Sequence, residues 1–142
     1  NVKASKVGDR IGLAFTQTVP VAKLRMDQFV AVPEITCNGY KFSDGCGVMG
    51  VNIAKEVQKA FCLPALPGAI QIRIGGIKGM LSLKHNFPPD KIGVRPSMIK
   101  YPSNHRIFEV KRCAKAKTEG NKLFSQILLI LDHLGVPDAV FL

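Results

Sequence analysis

Gln71-Ile-Arg-Ile-Gly-Gly-Ile-Lys-Gly-Met80 and, further on, Arg95-Pro-Ser-Met-Ile-Lys-Tyr101 follow one design, in which strand-like residues carry a basic side chain beside small or rigid ones. In the first stretch Ile70, Ile72 and Ile74 alternate with Gln71 and Arg73, Gly75-Gly76 interrupts, and apolar residues resume from Met80 to Leu83. That pattern predicts two strands with a turn at the glycines. Working outward, residues 70–117 hold eleven of the chain's Lys and Arg against only Asp90 and Glu109, so nearly all of the formal +10 lies in one third of the length. Because the cations are interleaved with apolar residues, a folded sheet should hold them. Preorganised cations of this kind are the electrostatic footprint of a polyanion-binding surface.

The 142 residues, 46% of them hydrophobic, suit a single domain, here taken as 1–142, with a real core. The longest apolar run, Ile127 to Leu131, is far too short for a membrane span. The start, Asn-Val-Lys-Ala-Ser-Lys, has no initiator Met and no hydrophobic signal region, which reads as a fragment of a longer polypeptide. Cys37, Cys46, Cys62 and Cys113 are unevenly spaced, with neither a Cys-x-x-Cys pair nor a nearby His, and are expected to be free buried thiols of an intracellular protein, cytoplasmic or nuclear. His85, His105 and His133 stand alone.

Along the chain, Ile11 to Thr16 is a strand candidate and Val19 to Val32 alternates as a strand or irregular edge would. Val51 to Phe61 sets Ile53, Ala54, Val57, Ala60 and Phe61 against Lys55, Glu56, Gln58 and Lys59, a short amphipathic helix with Asn52 as its expected cap and Pro64 as its stop. Ile92 to Val94 and Ile107 to Lys111 read as strands. Lys122 to Leu134 is the clearest helix, ended by Gly135 and Pro137. Its apolar residues imply burial in the core or against a neighbouring domain. A β-rich α+β chain with one inserted and one trailing helix results, and closure into a barrel would remove its sheet edges.

Gly75 to Gly79 lacks the spacing of a phosphate-binding P-loop, leaving a lysine, Lys78, between glycines that permit close approach of a backbone. In the second stretch Arg95 can clamp oxygens bidentately, whereas Lys100 can serve as a point charge for phosphate. Phe42-Ser-Asp-Gly-Cys-Gly47 offers a single carboxylate, Asp44, and no Asp-x-Asp cluster exists to gather Mg²⁺. Asp44, with Gly45 and Gly47, is therefore read as ordering its own loop.

Taken in order, Gly12-Leu-Ala-Phe-Thr16, Phe42 to Gly47, Gln71 to Gly79, Arg95 to Tyr101 and the closing helix resemble the eukaryotic RNA-silencing type of RNA-dependent RNA polymerase, from about Arg10 to Phe141. The resemblance implies the first of that family's two double-psi β-barrels, six-stranded, within an enzyme that copies single-stranded RNA into double-stranded RNA. It further implies that Lys78 and Lys100 face the catalytic centre and contact the phosphates of the incoming nucleoside triphosphate or the RNA, with Arg73 and Arg95 supporting them. The family's Mg²⁺ would be held by aspartates of the second barrel, outside this chain, so the fragment alone should catalyse little. Two departures stand out: Leu123-Phe-Ser-Gln126 replaces the family's Leu-Asn-Arg-Gln, and Tyr101 stands where Phe is usual. A non-catalytic RNA-binding barrel and a protein-interaction double-psi barrel are the competing expectations.

Overall fold

The glycine turn forms as its sequence predicts. In the computed structural model, which describes Ile11 and residues 17–114 and 125–140, strands end at Ile74 and restart at Ile77, and these two residues face each other across Gly75-Gly76. Gly75 has φ +52 and Gly76 does not lie in the positive region, the sign pattern of a type II′ hairpin turn, which calls for glycine first.

In chain order the elements are β1 (Val19–Lys23), β2 (Phe29–Ala31), β3 (Thr36–Cys37), β4 (Tyr40–Lys41), β5 (Cys46–Met49), α1 (Val51–Ala60), β6 (Ala69–Ile74), β7 (Ile77–Leu83), β8 (Ile92–Val94), β9 (Ile107–Cys113) and α2 (Ser125–His133). Single 3₁₀ turns cover Met26–Gln28 and Pro96–Met98. Ile11, the one described residue of the Ile11 to Thr16 strand candidate, is helical; the rest lies outside the described residues.

Seven strands form one mixed sheet in the order β1-β9-β6-β7-β5-β8-β2, and β3 and β4 make a separate hairpin. The sheet thus has seven strands where six were expected. Its parallel pairs are β2 with β8 and β5 with β7. The two edge strands, β1 and β2, are consecutive, joined only by Leu24 to Gln28. Such a link reaches at most about 20 Å, whereas the edges of a flat seven-stranded sheet stand about 29 Å apart. The sheet must therefore curl, and the concave side holds the core: Ile70, Ile72, Ile74, Leu81, Ile92, Met98, Phe108 and Val110 are all at most 2% exposed. Each such side chain contributes about 1.5–3 kcal/mol.

Helix α1 closes one side of this core with Ile53, Ala54 and Val57. Its cap is not Asn52 but Gly50, and the first free N–H groups are satisfied from elsewhere: Asn52 and Ile53 both donate to the Pro89 carbonyl, at 2.9 and 3.4 Å. The Asn52 side chain instead donates to Asp90 at 2.7 Å. A side chain at position 50 would collide with the Pro88 and Pro89 carbonyls, so the residue that caps the helix also lets this loop reach it. Helix α2 buries none of its side chains, and Leu129 is 69% exposed; of the two expectations for its apolar surface, burial in this core does not occur. The four cysteines are free as expected, yet Cys37, Cys46 and Cys62 are exposed and only Cys113 is half-buried.

Candidate phosphate-binding site

The two basic motifs meet through main-chain hydrogen bonds. Ile77 and Ile99 form an antiparallel bridge, and the Lys100 N–H donates to the Gly76 carbonyl at 2.8 Å. Alternation along β7 puts Lys78 on the same side as Gly76, hence as Lys100, and diagonal neighbours of a ladder lie about 7–8 Å apart. On β6, Arg73 stands directly opposite Lys78, with Glu109 of β9 on its other flank. Like charges placed opposite each other destabilise a sheet unless an anion offsets them.

The glycines of the motif serve the protein's own backbone. A Cβ at Gly76 would run into the Tyr101 carbonyl, and one at Gly79 into the Gly45 carbonyl. They allow the two segments carrying Lys100 and Asp44 to close onto the strand carrying Lys78, where the sequence reading expected room for a ligand's backbone. Tyr101 also donates its hydroxyl to the Gly75 carbonyl at 3.1 Å.

The cations differ in what they leave free. Lys78 is half-buried and, among the described residues, makes neither an ion pair nor a side-chain hydrogen bond. Lys100, also half-buried, donates from Nζ to the Ser97 carbonyl at 2.6 Å, which directs the ammonium and leaves two donors. Arg73 is 8% exposed; one Nη donates to the Ile72 carbonyl at 2.7 Å, Nε has no partner among the described residues, and burial pulls its pKa below the ordinary value. Arg95, 7% exposed, is committed inward: Nε donates to the Cys46 carbonyl at 2.7 Å and Nη1 to the Pro33 carbonyl.

Asp44 is exposed, and its carboxylate accepts no hydrogen bond among the described residues. Its loop is instead tied by its neighbours. Ser43 donates to Glu34 Oε2 at 2.6 Å and accepts from the Ile35 N–H at 2.7 Å, while the Gly45 N–H donates to Ser97 Oγ at 2.9 Å. The Ser97 N–H donates to Glu34 Oε1 at 2.7 Å. The Ser43 hydroxyl above all, then the bonds from Ser97 and the charge of Lys41, hold the Glu34 carboxyl down to about 2, against desolvation, which raises it. Sequence reasoning missed Glu34 entirely. The available signal was weak: one acid set among Val32, Pro33 and Ile35.

Among the described residues no group of three His, Cys, Asp or Glu side chains could hold a metal, and no helix is long and apolar enough to cross a membrane. Elsewhere, a cavity of about 520 Å³ opens beside the Ile77–Ile99 bridge, lined chiefly by apolar residues that include Phe29, Ile74, Ile99 and Tyr101.

The Gly75-Gly76 hairpin and its bridge to Ile99 place three basic residues, Arg73, Lys78 and Lys100, near one another in the curled sheet, and comparison with known proteins makes the class specific. The family model described as RNA dependent RNA polymerase matches residues 1–142. The chain is 35% identical over 144 aligned positions to RNA-dependent RNA polymerase 2 of Arabidopsis thaliana, covering 96% of this chain and 12% of that protein. It is 33% identical to the probable RNA-dependent RNA polymerase SHL2 of Oryza sativa subsp. japonica, covering 96% and 11% respectively. Its structure matches that of the RNA dependent RNA polymerase QDE-1 from Thielavia terrestris with a TM-score of 0.78 at 26% identity, covering 90% of this chain and 15% of the other. The chain belongs to the RNA-dependent RNA polymerase family, and it spans about an eighth of the length of the curated relatives it matches.

Proposed function

We propose that this chain is one domain of the catalytic core of an RNA-directed RNA polymerase that copies single-stranded RNA into double-stranded RNA for gene silencing. The observation that carries the reading is the convergence of Lys78 and Lys100 on one side of the Ile77–Ile99 bridge, with Arg73 opposite Lys78. In this reading both lysines contact phosphates of the incoming nucleoside triphosphate or of the RNA 3′ end. Arg73 adds charge from the neighbouring strand, and Arg95 fixes the segment that carries Lys100. A half-buried ammonium about 4 Å from a phosphate oxygen gains on the order of 4 kcal/mol at an effective dielectric of about 20. Contributions of that size matter because phosphoryl transfer depends chiefly on positioning and on offsetting charge.

The family also implies Mg²⁺, which supplies Lewis-acid stabilisation of the reacting phosphate. The residues here do not fit it: both Glu34 oxygens are taken by Ser43 and Ser97, and Asp44 stands without a second carboxylate. Its aspartates are assigned to a second double-psi barrel outside this chain. Residues 1–142 then form the first barrel. The two parallel pairs in an otherwise antiparallel sheet, β2 with β8 and β5 with β7, support that topology.

The test is chemical protection in the full-length polymerase. Lysine acylation read by mass spectrometry should slow at Lys78 and Lys100 when nucleoside triphosphate and template are added, while exposed Lys55 stays unchanged. Equal labelling with and without nucleotide contradicts the assignment.

A further inference from the structure

We infer that Glu34 is a positioning residue for Lys100, acting through Ser97. This inference rests on the function proposed above. Three segments separate in sequence meet around the Glu34 carboxylate: its own, Pro33 to Ile35; the turn at Phe42 to Cys46; and Arg95 to Ser97. Each pair is tied directly. Glu34 Oε2 accepts from Ser43 Oγ at 2.6 Å, and the Phe42 N–H donates to the Ile35 carbonyl at 2.9 Å, joining the first two. Glu34 Oε1 accepts from the Ser97 N–H at 2.7 Å, and Arg95 donates to the Pro33 carbonyl, joining the first and third. The Gly45 N–H donates to Ser97 Oγ at 2.9 Å and Arg95 Nε to the Cys46 carbonyl at 2.7 Å, joining the last two.

The knot's output is at Lys100, and its contact with β7 seats the turn. Ser97, held at its N–H by Glu34 and at its hydroxyl by Gly45, presents its carbonyl to Lys100 Nζ at 2.6 Å. Gly45 accepts from the Met80 N–H at 2.8 Å and lies against Gly79, the residue after Lys78. A carboxylate with one oxygen on each arm spans both connections, and no other acidic side chain among the described ones accepts a hydrogen bond from either arm. Length matters more than charge in such a bridge. Glutamine spans the same gap, its amide oxygen accepting from Ser97 and its amide nitrogen donating to Ser43 Oγ, with the Ser43 hydroxyl proton losing its present acceptor. Aspartate keeps the charge but is one methylene too short to hold both arms.

The experiment measures kcat and KM for nucleotide in the full-length polymerase with Lys100→Ala, Glu34→Ala, Glu34→Gln, Glu34→Asp and the double variant Glu34→Ala/Lys100→Ala. Glu34→Ala is expected to lower kcat/KM about tenfold, chiefly through KM, with Glu34→Asp close behind and Glu34→Gln near the parent. In the Lys100→Ala background Glu34→Ala should cost little more, because a residue acting through Lys100 has nothing left to position. If Glu34→Ala does not yield folded enzyme, the contrast between Glu34→Asp and Glu34→Gln decides. Additive losses in the double variant, or Glu34→Asp equal to the parent, overturn the inference while leaving the lysine assignment intact. A silent Lys100→Ala overturns the lysine assignment itself and the Glu34 inference with it.

Discussion

The Lys100 N–H donates to the Gly76 carbonyl at 2.8 Å, a bond that joins the turn of the β6–β7 hairpin to the second basic motif. The approach is possible because residue 76 has no side chain: a Cβ there would overlap the Tyr101 carbonyl. Backbone lies on both sides, so neither can give way by changing rotamer. Gly76→Ala should destabilise the protein by about 1–3 kcal/mol, the range for an overpacked site, and separate the two motifs. Urea unfolding checks this, with Gly68→Ala as the control, since a Cβ at Gly68 meets open space and its φ is ordinary.

Arg95 illustrates a cation whose work is internal. Its planar fork serves the carbonyls of Cys46 and Pro33 at once, a geometry that the point charge of lysine cannot copy. Arg95→Lys should therefore cost about 1–3 kcal/mol, the penalty of leaving a buried acceptor unsatisfied. Chemical denaturation measures it. A fully stable Arg95→Lys protein contradicts this role.

Acid unfolding reports on Glu34. Its carboxyl lies at about 2 in the folded chain against an ordinary 4.5. A carboxylate depressed by folding contributes stability that is present above its unfolded pKa and is lost as pH falls through the folded one. Between about 4.5 and about 2 the parent protein should lose more stability than Glu34→Gln, which has no such group to protonate. Parallel acid limbs for the two proteins contradict the clasp.

Local signals in the sequence carried the hairpin and the inserted helix, because period-two alternation around Gly75-Gly76 and the apolar face of Ile53, Ala54 and Val57 need no distant partner to be read. What depended on distant partners was not legible. The expected cap at Asn52 failed because the Pro89 carbonyl already takes that N–H. The glycines around Lys78 looked like room for a ligand, yet the closing segments come from Gly45 and Tyr101. Glu34 was invisible because its partners lie 9 and 63 residues away. The apolar stripe of α2 was plain, but it finds no cover in this core.

The account turns on Lys78 and Lys100 handling the phosphates of the reaction, above any general attraction for RNA. The most direct measurement is single-turnover nucleotide incorporation by the full-length polymerase carrying Lys78→Ala or Lys100→Ala, set beside RNA affinity at the same salt concentration. The account predicts that each substitution slows incorporation by about tenfold or more, with RNA affinity changed by no more than about threefold, as expected for one lost phosphate contact. Equal small losses in rate and affinity, or an unchanged rate, would contradict it and make this domain a binding surface for RNA.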